Sequence, residues 1–446
     1  MATTHTDLTG KWTPLQKIAL RFSFLFFVLQ SFPLQPSFYR DLFHIKWASF
    51  VPDIFNLATY TPHFFDAEST LLDWLLIAIV SVLGAFLWRK TGKFTEDTLF
   101  YYLRVLIRFR LAAALLTLGF IKFFPLFAPE PSLSHLNTGY GYFAHWKHLY
   151  LSLGVAPAYL SFLGTVELIT AFLLLFRKTS FLSVVFIIPF YGNVLLANFA
   201  YEGKGYVFVL FLLSLSFVLF LYDFRRFISL VVFHKQTNPA FLNHQGFQRI
   251  DQRLKRSLKL GFALLFIGFY GGKTYALYAD GSNLYYPQTL GIANIEGLYH
   301  CSLYVLNSDT IDYTAHHPTR WRDVVFERWN TLSIRSNQPV ETAAYKGIKL
   351  GVTDSLKNYE YTLVGDRHYY SYRVDQQQDT LFLTNRNPND KNGFILHIAR
   401  PDSSTIYLKG TDQQGDSLTV KLDKIDKKYL IEEVKKVGRS TLGYSL

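Results

Sequence analysis

The sequence predicts an α-helical integral membrane bundle of about seven spans joined to a C-terminal all-β soluble domain. Three observations point there. Half of the residues are hydrophobic and only 17% are charged, below the ~25% of an ordinary soluble protein. The apolar excess is confined to the chain before residue 280, where it forms runs long enough to cross a bilayer. After Asn283 the hydrophobic period changes from helical to two, the mark of strands.

The first apolar run is Ile18 to Leu34, preceded by Lys11 and Lys17. It holds Arg21 about one turn in, where the long side chain is expected to snorkel to the interface. No A-x-A-like cleavage site follows, so the run reads as an uncleaved anchor rather than a secretory signal. Residues 38–69 are aromatic and mixed, with Trp47, Phe50, Phe64 and Phe65, and read as an outer loop lying partly in the interface. Spans two and three are Leu71 to Trp88 and Leu99 to Phe124; the turn between them is strongly basic, running from Arg89 and Lys90 to Arg104, Arg108 and Arg110. Span four, Ala158 to Phe176, contains Glu167. Span five, Phe181 to Phe199, carries Pro189, Asn193 and Asn198, span six is Tyr206 to Tyr222, and span seven runs from Leu260 to about Leu277.

Basic flanks at the N-terminus, 89–93, 177–178 and 225–259 alternate with loops poor in Lys and Arg at 125–150 and 200–206. The positive-inside rule then sets the N-terminus in the cytoplasm. Seven spans carry everything after residue 280 to the outer face, the periplasm of a bacterial inner membrane. The same clustering explains the net charge of +12 as topology, with no one-sided basic face for nucleic acid. A single cysteine, Cys301, excludes an intramolecular disulfide and a CxxC pair.

Beyond residue 283, Tyr299, Cys301, Leu303 and Val305 alternate with polar neighbours, as do Leu332 and Ile334, Tyr370 to Val374, Phe394 to Ile398, and Leu418 to Leu422. Turn-forming stretches at 387–393, 400–404 and 412–416 separate them. The pattern is an antiparallel meander of about eight strands, a barrel or a sandwich, with a short helix near Lys427 to Val437.

Spans three to six carry, in order, Arg108-Phe-Arg-Leu-Ala, Gly119-Phe-Ile-Lys122, a Pro/Tyr/Gly-rich outer loop, Glu167, a Leu-rich run into Phe176-Arg-Lys-Thr179, and Asn193-Val-Leu-Leu-Ala-Asn198. This order resembles the DoxX family of bacterial four-helix membrane proteins, and more closely its longer members with flanking spans and an outer soluble tail. The resemblance covers about residues 100–226 and rests on short apolar motifs. It divides the chain into flanking spans and outer loop (1–98), a DoxX-like membrane core (99–226), a basic cytoplasmic loop with the last span (227–279) and an extracytoplasmic β-domain (280–446). Some members are similar to the small chain of thiosulfate:quinone oxidoreductase. The resemblance therefore implies a non-catalytic membrane subunit that binds quinone, or another lipid-soluble molecule, for a redox partner.

The chemistry centres on Glu167. It lies about ten residues before Arg177, roughly 15 Å inside the hydrocarbon, where a carboxylate costs at least ~2.5 kcal/mol. Two roles stay open: a hydrogen bond to Asn193 or Tyr191 that locks the bundle, or an acid that handles a proton or ligand. Gly164 and Ala171 flank its face and leave space for a neighbouring helix or a ligand head. Lys122 is the candidate cationic partner, but a lysine in a last turn more often snorkels outward and complements the helix dipole, and that reading comes first. Arg108 precedes Lys122 by about four turns on nearly the same face, but reads first as a simple topology charge. His145 and His148 share a helical face but have no supporting carboxylate or thiolate, so no metal site is expected. Trp321 and Trp329 read as strand core. With no nucleophile elbow, P-loop, Rossmann fingerprint or paired carboxylates, no catalytic residue is assigned. The alternative function is an envelope binding or scaffold protein whose β-domain captures a ligand or protein partner, with the spans as its anchor in the lipid bilayer.

Overall fold

The structure, a computed structural model, describes residues 12–66, 69–88, 95–237, 252–314, 316–341, 350–375, 377–387 and 392–437. The basic flank at 89–93, part of the basic loop at 225–259 and most of the turn at 387–393 lie outside the described residues. The helices are α1 (Pro14–Ser31), α2 (Pro36–Phe43), α3 (Phe50–Ala58), α4 (Leu71–Trp88), α5 (Glu96–Phe123), α6 (Leu133–Leu136) and α7 (His145–Val155). They continue as α8 (Pro157–Leu175), α9 (Ser180–Ala200), α10 (Tyr206–Val231), α11 (Gln252–Ala263) and α12 (Gly271–Ala279), the last two joined by a π-helical stretch, Leu264–Tyr270. The strands follow: β1 (Gly297–Leu306), β2 (Asp309–Thr310), β3 (Asp323–Phe326), β4 (Thr331–Arg335), β5 (His368–Asp375), β6 (Thr380–Asn385), β7 (Gly393–Ala399), β8 (Thr405–Asp412) and β9 (Ser417–Ile425), then α13 (Leu430–Val437). The chain forms two compact units, Met1–Phe124 with Ser161–Asp280, and Pro125–Leu160 with Gly281–Leu446.

Among the described residues, five helices are long and apolar enough to cross a membrane: Leu71–Trp88, Pro157–Leu175, Ser180–Ala200, Tyr206–Val231 and Gln252–Ala279. Helices α1 and α2 pass the same test together, bent by 50°. The outward face of α4 shows what solvent they suit. Leu72, Leu75, Ile79, Leu83 and Leu87 are all exposed, a surface that lipid tolerates and water does not. These features are compatible with a multi-pass membrane protein.

Helix α5 is the axis of the first unit, with Leu103, Ile107, Leu111, Leu115 and Ile121 buried along its length. Its charges are matched from neighbouring elements. Arg108 donates from Nε and Nη2 to the Leu174 carbonyl at 3.0 and 2.8 Å, and Arg110 donates to the Ala58 and Tyr60 carbonyls at 2.7 Å each. Arg21 lies 3.3 Å from Glu96 at the start of α5, where a carboxylate also complements the helix dipole.

The expected loop at 38–69 is helical over much of its length. Pro36 opens α2 at a position where a missing N–H costs nothing. Asp53 accepts from the Lys46 N–H at 3.1 Å and the Ser49 hydroxyl at 2.8 Å, fixing the entry to α3. Phe50, Val51 and Ile54 of α3 then bury against Tyr270. Of the aromatics that marked this stretch, Phe50 is core, while Trp47, Phe64 and Phe65 are exposed.

The second unit is built on a closed barrel. Strands β1, β3, β4, β5, β6, β7, β8 and β9 pair antiparallel in sequence order, and β9 returns to β1 from Leu298↔Ile425 to Leu306↔Leu418; two-residue β2 adds to the end of β1. Closure decides for the barrel over the sandwich and leaves the eight-stranded ring no free edge. Inward residues fill the interior, among them Tyr299, Trp321, Phe326, Tyr370 and Tyr372. Gly410 is required where β8 crosses β7, because a Cβ there would run into the Ile395 carbonyl. Cys301 is buried in this core, which pushes its thiol up to about 12 and removes it from thiolate chemistry.

Strand β4 is buried on both faces. Leu332 and Ile334 face the barrel core while Thr331 and Ser333 are covered from outside. The cover comes from 125–160 and from the long connection between β4 and β5. Ser134 meets Ser333 at 2.8 Å, Thr331 donates to Glu360 at 3.2 Å, and Phe143 bridges to Val364.

Candidate functional site

Two buried polar centres stand out, one in each unit. In the helical unit, Glu167 of α8 is fully buried and Lys122 of α5 lies 2.5 Å from its Oε1. Tyr191 of α9 donates to the same oxygen at 2.8 Å. Oε2 is buried with no hydrogen-bond partner among the described residues.

Local sequence explains how α5 and α8 come this close. A Cβ at Gly164 would run into the Phe123 N–H and lie 2.6 Å from the Gly119 carbonyl oxygen, and one at Gly119 would lie 2.9 Å from Leu168. Two glycines therefore let the helix backbones meet, and Lys122 and Glu167 clasp just beside the contact. The space expected at Gly164 is taken by a helix backbone.

Of the residues singled out from sequence, Lys122 and Glu167 are brought together and the other two are elsewhere. Asn193 is exposed, and Tyr191 takes the contact expected of it. Two residues along a helix turn a side chain by about 200°, so the two cannot share a face. Arg108 is spent on the end of α8, at the Leu174 carbonyl. His148 stacks on Tyr140 at 4.0 Å, and no group of metal-ligating side chains occurs among the described residues.

The second centre, on the covered outer wall of the barrel, was not found from sequence. Glu360 accepts from Trp329 Nε1 at 2.8 Å on one oxygen, and from Arg386 at 2.9 Å and Thr331 at 3.2 Å on the other. Glu327, just past β3, accepts from the backbone N–H groups of Ser134 at 2.7 Å and Leu133 at 3.3 Å, the first turn of α6. His135 contacts the Glu360 carbonyl through Nε2 at 3.0 Å, with Nδ1 toward the Ser132 N–H; these partners fit the neutral Nε2–H tautomer. Lys147 of α7 is fully buried, donates to the Tyr359 carbonyl, and sits 3.7 Å from the centre of the Tyr359 ring.

Burial dominates the protonation of this network. It pushes the Glu327 carboxyl up to about 7, with the nearby Glu360 charge adding to the effect. It raises Glu360 as well, against the pull of Arg386. Burial holds Lys147 well below the usual lysine range and His135 well below the usual histidine range, the latter helped by Lys147.

Glu327 also lines a cleft of about 390 Å³ with Trp329, Tyr285, Tyr286, Pro129 and Pro131. Trp329 and Tyr286 stack with ring centroids 4.4 Å apart and planes 11° from parallel. Trp329, read from sequence as core, is thus a cleft wall held by Glu360. A second hollow of about 380 Å³ shares Asn283, Tyr286, Arg328 and Trp329. Chemically, the cleft offers an aromatic wall and an acid that changes charge near neutrality, with the Ser132 hydroxyl, 3.2 Å from His135 Nδ1, also in its lining.

Comparison of the chain with family models, with curated proteins and with solved structures finds no match. Its class is therefore defined by what it contains: apolar helices fit to cross a membrane, with an eight-stranded antiparallel barrel unit.

Proposed function

We propose that this chain is a membrane-anchored binding protein of the bacterial cytoplasmic membrane, with a cytoplasmic N-terminus and an extracytoplasmic barrel unit that captures a small ligand in the Glu327–Trp329 cleft. The carrying observation is the cleft itself, about 390 Å³ with the stacked Trp329–Tyr286 pair as wall and a buried carboxyl at its edge. That volume is within the range of small-molecule sites. Detergent-purified protein incubated with envelope extract and weighed by native mass spectrometry tests the reading. A small-molecule adduct on the parent that is lost in Trp329→Ala supports it; a parent that carries no adduct, or an adduct indifferent to the substitution, rejects it.

One observation favours a second reading, a DoxX-like membrane subunit that binds quinone for a redox partner. Glu167 Oε2 is a buried acceptor with no hydrogen-bond partner, and a quinol hydroxyl is a donor that suits it. Lys122 and Tyr191 would hold the carboxylate while Oε2 accepts. The filled space at Gly164 weighs against a ligand head there, which ranks this reading second. Redox difference spectra of the purified protein test it, since Glu167→Gln should release any co-purified quinone while the fold persists.

A further inference from the structure

Ser132 and His135 place a hydroxyl beside an imidazole at the cleft of the barrel unit. Ser132 is a buried residue that lines the cleft, and its Oγ lies 3.2 Å from His135 Nδ1. The pair also caps α6: Oγ accepts the His135 backbone N–H at 3.3 Å, and Nδ1 faces the Ser132 backbone N–H at 3.3 Å. The usual partner of a capping serine is glutamate or glutamine, whose side-chain oxygen is all that the cap requires. An imidazole there adds something the cap does not use, a base suited to proton transfer near neutrality.

The hydrogen-bond roles fit that use. His135 Nε2 is 3.0 Å from the Glu360 carbonyl, which can only accept, so Nε2 carries the ring proton and Nδ1 presents its lone pair. Ser132 Oγ already accepts the His135 N–H, so its own proton is the one left to give. Burial and the nearby Lys147 keep the ring neutral at rest, and the Glu360 carbonyl favours the charged ring once a proton arrives. The Glu327 carboxyl is a second hydrogen-bonding neighbour of the Ser132 hydroxyl. A hydroxyl, a base within reach of it and a third group that orients the base are the parts that covalent acyl transfer needs.

We propose that Ser132 is a catalytic nucleophile, with His135 as its general base, acting on a small carboxylic ester held against Trp329 and Tyr286. This rests on the cleft being a small-molecule site, as the proposed function has it. Ser132 Oγ bonds to the ester carbonyl carbon while its proton passes to His135 Nδ1. The bond from that carbon to the alcohol oxygen then breaks, and the alcohol leaves with the proton from Nδ1. Water, losing a proton to the same nitrogen, attacks the acyl group; the serine oxygen takes that proton back and the carboxylic acid is released. Ester and water are consumed, acid and alcohol are formed, and no oxidant or second substrate enters. An ester is the class chosen because an alcohol oxygen leaves more readily than an amide nitrogen.

A small fluorophosphonate tests this on the full-length protein in detergent. The reagent forms an O–P bond to an activated serine and expels fluoride, and peptide mass spectrometry locates the label. It should fall on Ser132. Ser132→Asn keeps a capping side chain and should abolish the label. His135→Gln restores the usual capping pair but removes the base, and should slow labelling roughly hundredfold. A parent with no label on Ser132 overturns the proposal, as does labelling that is indifferent to His135→Gln. Should a variant fail to fold, the parent alone decides. Complete labelling of Ser132 should stop its hydrolysis of para-nitrophenyl acetate, and hydrolysis that continues, or is absent from the start, overturns the proposal. A parent that takes no label yet keeps a small-molecule adduct sensitive to Trp329→Ala loses this activity alone, and the binding role of the cleft stands.

Discussion

Glu167 and Glu360 are both buried carboxylates beside a cation, yet their surroundings differ. Glu167 meets one lysine and one tyrosine on the same oxygen, and its other oxygen has no hydrogen-bond partner among the described residues. Glu360 meets an arginine, an indole N–H and a hydroxyl spread over both oxygens. The cause is the fold around each. Inside a helical bundle every backbone N–H is spent along its own helix, so only side chains at one depth can reach the acid. On a barrel wall crossed by loops and by a short helix start, side chains and spare backbone donors arrive from several directions.

The comparison is tested most severely at Arg386. Replacing it with methionine leaves Glu360 buried without its cation, and loss of one member of such a pair costs about 3–5 kcal/mol. Chemical denaturation followed through the barrel unit should show a loss of that size, partly recovered when Glu360→Gln is added. A loss below about 1 kcal/mol would mean that the network is wet rather than desolvated.

Next in size is the pH dependence of Glu327. Its carboxyl is raised from the usual 4.5 to about 7 in the fold, so the folded protein favours the protonated form. Stability from this group is fully present below 4.5 and declines as pH rises to about 7, by on the order of 3 kcal/mol in total. His135 acts in the opposite sense. Its pKa is held well below 6.5 in the fold, so acidification below that value costs stability. The difference between the parent and Glu327→Gln isolates the acid. That difference should change across pH 4.5–7, and a flat difference would place an ionised, solvated Glu327 at the cleft.

The two centres also differ in how plainly the sequence announces them. An acid inside an apolar run is rare, so Glu167 is visible at once, whereas Lys122 in a last turn reads first as snorkelling and only the packing of α5 on α8 shows the pair. Tyr191 and Asn193 were equivalent candidates because one sequence does not fix the rotation of α9 about its axis. The barrel-wall network offers no such contrast, since Glu, Lys and His are ordinary in strands and loops. Their burial arises from a contact between segments far apart in the chain: His135 and Glu360 are 225 residues from each other. Alternation gave the strand faces, but barrel closure rests on the β1–β9 ladder, which local pattern does not encode.

Within the bundle, Gly164 sets the α5–α8 distance. Gly164→Ala forces a methyl group against the Phe123 backbone and should cost about 1–3 kcal/mol, the usual range for overpacking. Unfolding in detergent measures it. If alanine is tolerated without loss, the helices have room to part, and space for a ligand head beside Glu167 becomes credible again.

The smallest effect is expected at Tyr191. Tyr191→Phe removes one hydrogen bond to Glu167 Oε1 and keeps the ring, the burial and the Lys122 contact. Polar contacts between membrane helices average about 0.6 kcal/mol, because a polar group released within a bilayer or detergent finds other partners. A loss near that value, beside several kcal/mol at Arg386, is what the contrast between bundle and barrel requires. If Tyr191→Phe costs more than about 2 kcal/mol, the hydroxyl is not an interchangeable contact but a fixed part of how Glu167 is held. Combining it with Lys122→Met then separates two cases. Additive losses mean that Lys122 and Tyr191 each contact the acid independently, whereas coupled losses mean that they position it as a unit.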